Sequence, residues 1–208
     1  VSGANGAAPV VDRRERPDDA GAIPPGIETA VTAVEAAQAY ADHSPGITRR
    51  RELVWQDPLA SADVGAQMAG LDYIQALISG RVPPPPLAVT LNFTPVEASE
   101  GHAIFEGNPG EEHYNPIGVV HGGYASTLLD SALGSAVHTT LAVGEAYTTL
   151  SLEVKMVRPI TRDTGTVRVE AEVLHRGRRQ ATSEARLYAA ETGKLLAHGT
   201  STCMILGA

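Results

Sequence analysis

The chain has 208 residues, 43% hydrophobic and 19% charged, enough for one domain with a sizeable core plus an extension. A net charge of -8 and a pI near 5.3 argue against nucleic acid or an anionic membrane as a general partner. The single cysteine, Cys203, rules out an internal disulfide framework, and no apolar run reaches the roughly 18 residues of a membrane span.

The N-terminus lacks the basic-then-apolar layout of a secretory signal, so a reducing, cytoplasmic setting is expected. Residues 1–27 are rich in Gly, Ala, Pro and charge, with too little apolar surface to offset ordering, and read as a mobile tail. The alanine-rich stretch 28–42 predicts a helix ending before Ser-Pro-Gly. Residues 1–45 thus form an N-terminal extension and 46–84 a lead-in segment. In the latter, Met68, Leu71, Ile74, Leu77 and Ile78 predict a helix over 68–79 that stops at Gly80. Four prolines at 83–86 then predict an extended connection.

From residue 85 to 208 the pattern is that of one α+β domain. Leu87, Val89, Leu91 and Phe93 alternate as in a strand, and 102–107 reads as its hairpin partner. A helix of about 20 residues follows, starting at His121 and closing near Gly144. Beyond it, Thr148, Leu150, Leu152, Val154 and Met156 are placed on one strand face, with Thr149, Ser151, Glu153 and Lys155 on the other. Val167, Val169, Ala171 and Val173 repeat the alternation, and runs at 180–190 and 195–206 follow the turns Arg-Gly-Arg-Arg and Glu-Thr-Gly-Lys. Short turns between consecutive strands imply antiparallel pairing. The expected architecture is a curved antiparallel sheet wrapped around one long helix, whose Gly, Ala, Ser and Thr let the sheet approach closely.

The chemistry concentrates on that helix. At its start, His121-Gly122-Gly123 offers backbone N–H groups without intrahelical partners, at the positive end of the macrodipole. Such a donor can hold the oxygen of an acyl group that gains charge, although two glycines also suit a plain tight turn. Asp130 is the only charge between His121 and Gly144, with Ser126, Thr127, Leu133 and Gly134 as its helical neighbours. A buried carboxylate without a local cation is costly, and in a cleft it is a candidate base or nucleophile. The alternatives are exposure to solvent or an Arg from a later strand. Asn115 shapes the preceding loop with Pro116 and Gly118 and has an amide free to orient substrate or water, or serves as a turn residue only. Thr149, on the next strand, places a hydroxyl within possible reach of Asp130.

The pattern Asn-Pro-x-Gly-x-x-His-Gly-Gly from Asn115 to Gly123, with Asp130 nine residues after His121, resembles the hotdog-fold acyl-CoA thioesterases of the phenylacetate-pathway (PaaI-like) type. The resemblance covers about residues 68–207 and includes YTTLSLEVKMVRPIT and the strands after it. It implies that Asp130 is the base or nucleophile of thioester hydrolysis and that the Gly122 N–H polarises the carbonyl. It further places His121 beside that donor, Asn115 as the orienting loop residue, and Thr149 near the attacking water. Gly123 is expected at the substrate. Relatives are dimers, commonly paired into tetramers, so a homodimer assembling into a homotetramer is implied, with each carboxylate serving the His-Gly-Gly of the facing subunit. No cofactor is implied beyond the coenzyme A carried by the substrate.

Arg158, Arg176, Arg178 and Arg179 are candidates for the coenzyme A phosphates, or else solvated edge residues. No zinc-ligand spacing, no Gly-x-Ser-x-Gly and no dinucleotide fingerprint is found. Two rival functions remain open on residues alone. One is a hydratase or dehydratase moving a proton at carbon; the other is a non-catalytic acyl-CoA-binding module.

Overall fold

The computed structural model describes residues 32–35, 37–38 and 49–207. The chain divides between Arg51 and Glu52 into two units. In the first, helical backbone at 33–35 and 37–38 covers part of the predicted 28–42 helix. It opens on a reciprocal cap: Thr32 N–H donates to Glu35 Oε2 at 2.7 Å, and Glu35 N–H to Thr32 Oγ1 at 3.2 Å. The predicted 1–27 tail lies outside the described residues.

The second unit opens with helix α1, Pro58–Gly65. Pro58 supplies a preset φ at the first helical position, and the Asp57 carboxylate accepts the Leu59 N–H at 2.9 Å. Helix α2, Gly70–Ile78, buries Ile74 and Ala76 and ends before Gly80, whose φ of 72° only glycine adopts freely. Gly70 starts α2 because any Cβ there would overlap the His138 carbonyl.

The predicted strand through Leu87, Val89 and Leu91 is not formed. These residues lie in a short helix, α3, Pro86–Leu91, and Pro86 initiates it rather than extending the connection. Proline at a first helical position fits as well as proline in an extended run, and three alternating apolar residues do not separate the two. The strand begins only at Phe93, after Asn92 turns the chain with φ 54°.

Six strands follow: β1 Phe93–Ser99, β2 His102–Gly107, β3 Ala146–Met156, β4 Val167–Arg176, β5 Gln180–Ala189 and β6 Leu195–Leu206. They form one antiparallel sheet in the order β1-β2-β4-β5-β6-β3. The long helix α4, Gly122–His138, contacts all six strands. It ends six residues before Gly144, with Thr139 as its C-cap. Leu128, Leu129, Ala132, Leu133 and Ala136 are fully buried against Val167, Val169 and Ala171 of β4 and Ala185 and Leu187 of β5. Each buried leucine contributes roughly 1.5–3 kcal/mol by leaving water. This is the hotdog arrangement, a sheet wrapped on one central helix. No helix among the described residues is long and apolar enough to cross a membrane.

β3 is an edge strand, and its alternation breaks. It pairs with β6 from Ala146↔Leu206 to Met156↔Ala197, with a bulge between Thr149 and Ser151. Before the bulge Tyr147 and Thr149 face α4; after it Val154 does, and Leu150 is left 57% exposed. The expected continuous apolar face of Leu150, Leu152, Val154 and Met156 is therefore corrected. One extra residue flips the side-chain period on either side of it.

Candidate active site

The loop before α4 is built by Asn115. Its Oδ1 accepts the N–H groups of Ile117 at 3.1 Å and Val119 at 3.2 Å, and its own N–H donates to the Val119 carbonyl at 2.8 Å. Gly118, with φ 81°, makes the turn. One end of the Asn115 amide is thus the turn residue, while Nδ2 has no hydrogen-bond partner among the described residues. His121 is the N-cap of α4: its Nδ1 accepts the Gly123 N–H at 2.8 Å, which puts any ring proton of a neutral imidazole on Nε2. The His121 N–H donates to the His113 carbonyl at 2.8 Å, and Tyr124 N–H to the His121 carbonyl at 2.9 Å.

Gly122 is different. Its N–H has no acceptor among the described residues, and it lines a cavity of about 310 Å³ with Asn115, His121, Met156, Arg158 and Ile160. An unsatisfied N–H at the start of a 17-residue helix is a ready electrostatic donor to a developing oxyanion. Gly123, expected at the substrate, has its N–H committed to the cap instead.

Asp130 stands on α4, partly exposed, and its Oδ1 accepts a hydrogen bond from Thr149 Oγ1 at 3.3 Å. Among the described residues it forms no ion pair, so the alternative of an Arg from a later strand is not what the structure holds. The bulge after Thr149 is what aims this hydroxyl at the helix. Directly across from Thr149 on β6 lies Cys203, whose thiol burial pushes up, and two residues before Thr149 is Tyr147, whose phenol is raised by burial first and then by Cys203 and the Asp130 charge.

Gly122, Ser126 and Asp130 recur every fourth residue, each step drifting about 40° around α4, and form a slowly turning stripe of incompletely buried positions. At a rise of 1.5 Å per residue, Gly122 and Asp130 are about 12 Å apart along the axis. One chain does not bring the two together.

The arginines separate. Arg158 lines the cavity at Gly122, with Nη1 donating to the Leu195 carbonyl at 2.6 Å. Arg176 is taken up by Glu145, both carboxylate oxygens lying 3.0 Å from Nη2, so its expected phosphate role has no free guanidinium behind it. Arg178 and Arg179 are exposed on the β4–β5 turn, level with Ile205 and Tyr147 and at the opposite end of β3 from Arg158. Residues missed from sequence include His113, which holds the His121 N–H, and Tyr147, which fits only because position 134 lacks a side chain: an added Cβ would lie 2.5 Å from its hydroxyl. Gly134, four residues after Asp130, was the signal for the second.

Residues 117–196 match the model of the thioesterase superfamily. Acyl-coenzyme A thioesterase 13 of Homo sapiens and of Pongo abelii are each 33% identical over 109 residues, 52% of this chain and 76% of the relative. Among solved structures, the phenylacetic acid degradation-related protein of Ralstonia eutropha JMP134 is 30% identical, with a TM-score of 0.58 over 64% of this chain and 98% of that one. A mutant of the phenylacetic acid degradation protein PaaI of Thermus thermophilus is 28% identical, with a TM-score of 0.52 over 57% and 97%. A sheet on one helix with a carboxylate and a helix-start N–H defines the class, and the chain belongs to the thioesterase superfamily. Within it the relatives are PaaI-like, and the protein is a thioester hydrolase.

Proposed function

We propose that the protein hydrolyses an acyl-CoA to a free acid and coenzyme A at sites shared between two copies of the chain. The observation that carries this is the separation of about 12 Å between Gly122 and Asp130 along α4, too far for one carbonyl to meet both. Two further features support it. The first half of α4 leaves Gly122, Gly123, Ser126 and Thr127, all small, incompletely buried, and β3 presents an unpaired edge with Leu150 57% and Met156 50% exposed. A second copy related by a twofold axis brings each Asp130 toward the other's Gly122. The same reading includes the further pairing of dimers into a homotetramer.

In this site the Gly122 N–H, with the positive end of the α4 dipole, holds the thioester oxygen as it gains charge. Asp130, its carboxylate fixed by Thr149, either takes a proton from a water whose oxygen attacks the carbonyl carbon, or attacks that carbon itself to form an acyl anhydride that a water then hydrolyses. The C–S bond breaks and the coenzyme A thiolate leaves, collecting a proton. Asn115 Nδ2 is free to donate to the substrate, and Arg158 is the basic residue at this cavity. Coenzyme A enters as part of the substrate and no other group is required. The test is thiol release from a panel of acyl-CoAs by wild type and by Asp130→Asn; a variant that stays folded and keeps near wild-type turnover rules the reading out.

A further inference from the structure

Beside the start of α4 lies a buried pair of polar rings that the reaction above does not use. The His113 and Tyr124 rings meet with centroids 4.9 Å apart, and the two residues are only 8% and 3% exposed. His113 Nδ1 accepts the Gly110 N–H at 3.0 Å, which puts the proton of a neutral ring on Nε2. That Nε2 and the Tyr124 hydroxyl are both buried without a hydrogen-bond partner among the described residues. Burial first, and then the Glu112 charge, push the Tyr124 phenol up, so the hydroxyl keeps its proton. Polar groups held in this way cost stability that two apolar rings would not, so packing alone does not account for them. The fold makes room for the pair nonetheless: an added Cβ at Gly107 of β2 would overlap the Tyr124 hydroxyl.

What the pair holds is the peptide that carries the oxyanion donor. The segments 113–115 and 119–121 run antiparallel around Gly118, with Tyr114 bridged to Val120. The last rung of this ribbon is the His121 N–H on the His113 carbonyl at 2.8 Å. The next peptide joins His121 to Gly122. It is planar, so the Gly122 N–H points opposite to the His121 carbonyl, and whatever holds that carbonyl aims the donor. The holder is the Tyr124 N–H, at 2.9 Å. His113 therefore meets the donor peptide from both sides, through its own carbonyl at the rung and through its ring against Tyr124. His113 does not line the cavity at Gly122, so it acts on the donor without touching substrate.

We propose that His113 is a positioning residue for the oxyanion donor, its carbonyl and its ring together fixing the direction of the Gly122 N–H. This rests on the thioesterase reading above. An oxyanion donor works only when it is already aimed at the place where charge develops, so a loosened peptide costs turnover rather than substrate binding.

Two substitutions divide the contacts of the side chain. His113→Asn keeps an acceptor for the Gly110 N–H and removes the ring, while His113→Phe keeps a ring against Tyr124 and removes the acceptor. Thiol release gives kcat and KM for each on the acyl-CoA that wild type hydrolyses fastest, in the wild-type and Gly122→Pro backgrounds, with thermal melts to confirm folding. In His113→Asn kcat is expected to fall roughly tenfold at unchanged KM, part of the ~10²-fold that a 1 Å misplacement costs. His113→Phe, the closer fit to the buried site, falls in the same manner by a smaller factor and carries the test if His113→Asn does not fold. In the Gly122→Pro background no N–H is left to aim, and neither substitution lowers kcat further. The same fractional loss in both backgrounds marks a merely structural role and overturns the proposal, as does an unchanged kcat or a loss confined to KM. If Gly122→Pro is itself fully active, the donor assignment and the hydrolase site built on it fall, and this proposal with them. If Gly122→Pro is disabled but the losses multiply, only the role of His113 falls.

Discussion

Thr149 Oγ1 donates to Asp130 Oδ1 across 3.3 Å and nineteen residues of sequence. The bond exists because the β3 bulge turns Thr149, not Leu150, toward α4. It leaves the second carboxylate oxygen without a hydrogen bond or a cation among the described residues. Removing the donor should cost less than removing the carboxylate. Thr149→Val is expected to lower kcat/KM about tenfold, the worth of one hydrogen bond to a charged group, and Thr149→Ser to restore most of it. Steady-state kinetics of the two variants checks this.

Gly122 is the first residue of α4, and His121 before it has φ -59° and ψ 137°. That backbone accepts a following proline, and proline is favoured at the first helical position. An added Cβ would meet only the mobile end of Met156, at 3.4 Å. Gly122→Pro therefore removes one N–H with little effect on the fold. Thiol-release kinetics should show kcat/KM down roughly 10²–10³-fold, with thermal stability retained.

How much of this was legible in the residues is uneven. The α4 face and the strands from β4 to β6 follow from period and turn signals, because long runs average out local ambiguity. Asn115, His121, Gly122 and Asp130 stood out for their types and spacing. Three features did not. Pro86 starts a helix where four prolines suggested extension, since proline fits either. The bulge at Leu150 has no residue signature, yet it decides which way Thr149 points. Arg176 has the look of a phosphate ligand until Glu145, thirty-one residues earlier, is seen against it; long-range pairing leaves no trace in local pattern.

Gly134 and Tyr147 form a fitted pair, the ring lying where a side chain would be. Gly134→Ala should destabilise the fold by about 1–3 kcal/mol through overpacking. Tyr147→Phe, which removes the hydroxyl nearest the new methyl, should recover part of that loss. Urea denaturation of the single and double variants measures the coupling.

His138 packs between Tyr73 and Tyr147, and burial lowers its pKa below the ordinary value of 6.5. A depressed folded value means that the unfolded chain binds the proton more readily. Stability from this group is full above 6.5 and is lost as pH falls through that value toward the folded one. His138→Phe should flatten this part of the profile. Denaturation midpoints at about pH 7.5 and about pH 5 for both proteins test the sign.

The central claim is that Asp130 and Gly122 of one site belong to different copies. Asp130→Asn should lower turnover roughly 10²–10⁴-fold with the fold intact, and Gly122→Pro is disabled at the other half of the site. Unfolded together and refolded as a mixture, half of the dimers pair the two variants, and each such dimer carries one site with both Asp130 and Gly122. The account predicts recovery of about a quarter of wild-type thiol release from two nearly inactive proteins. A mixture that forms dimers and stays as inactive as its components would contradict it.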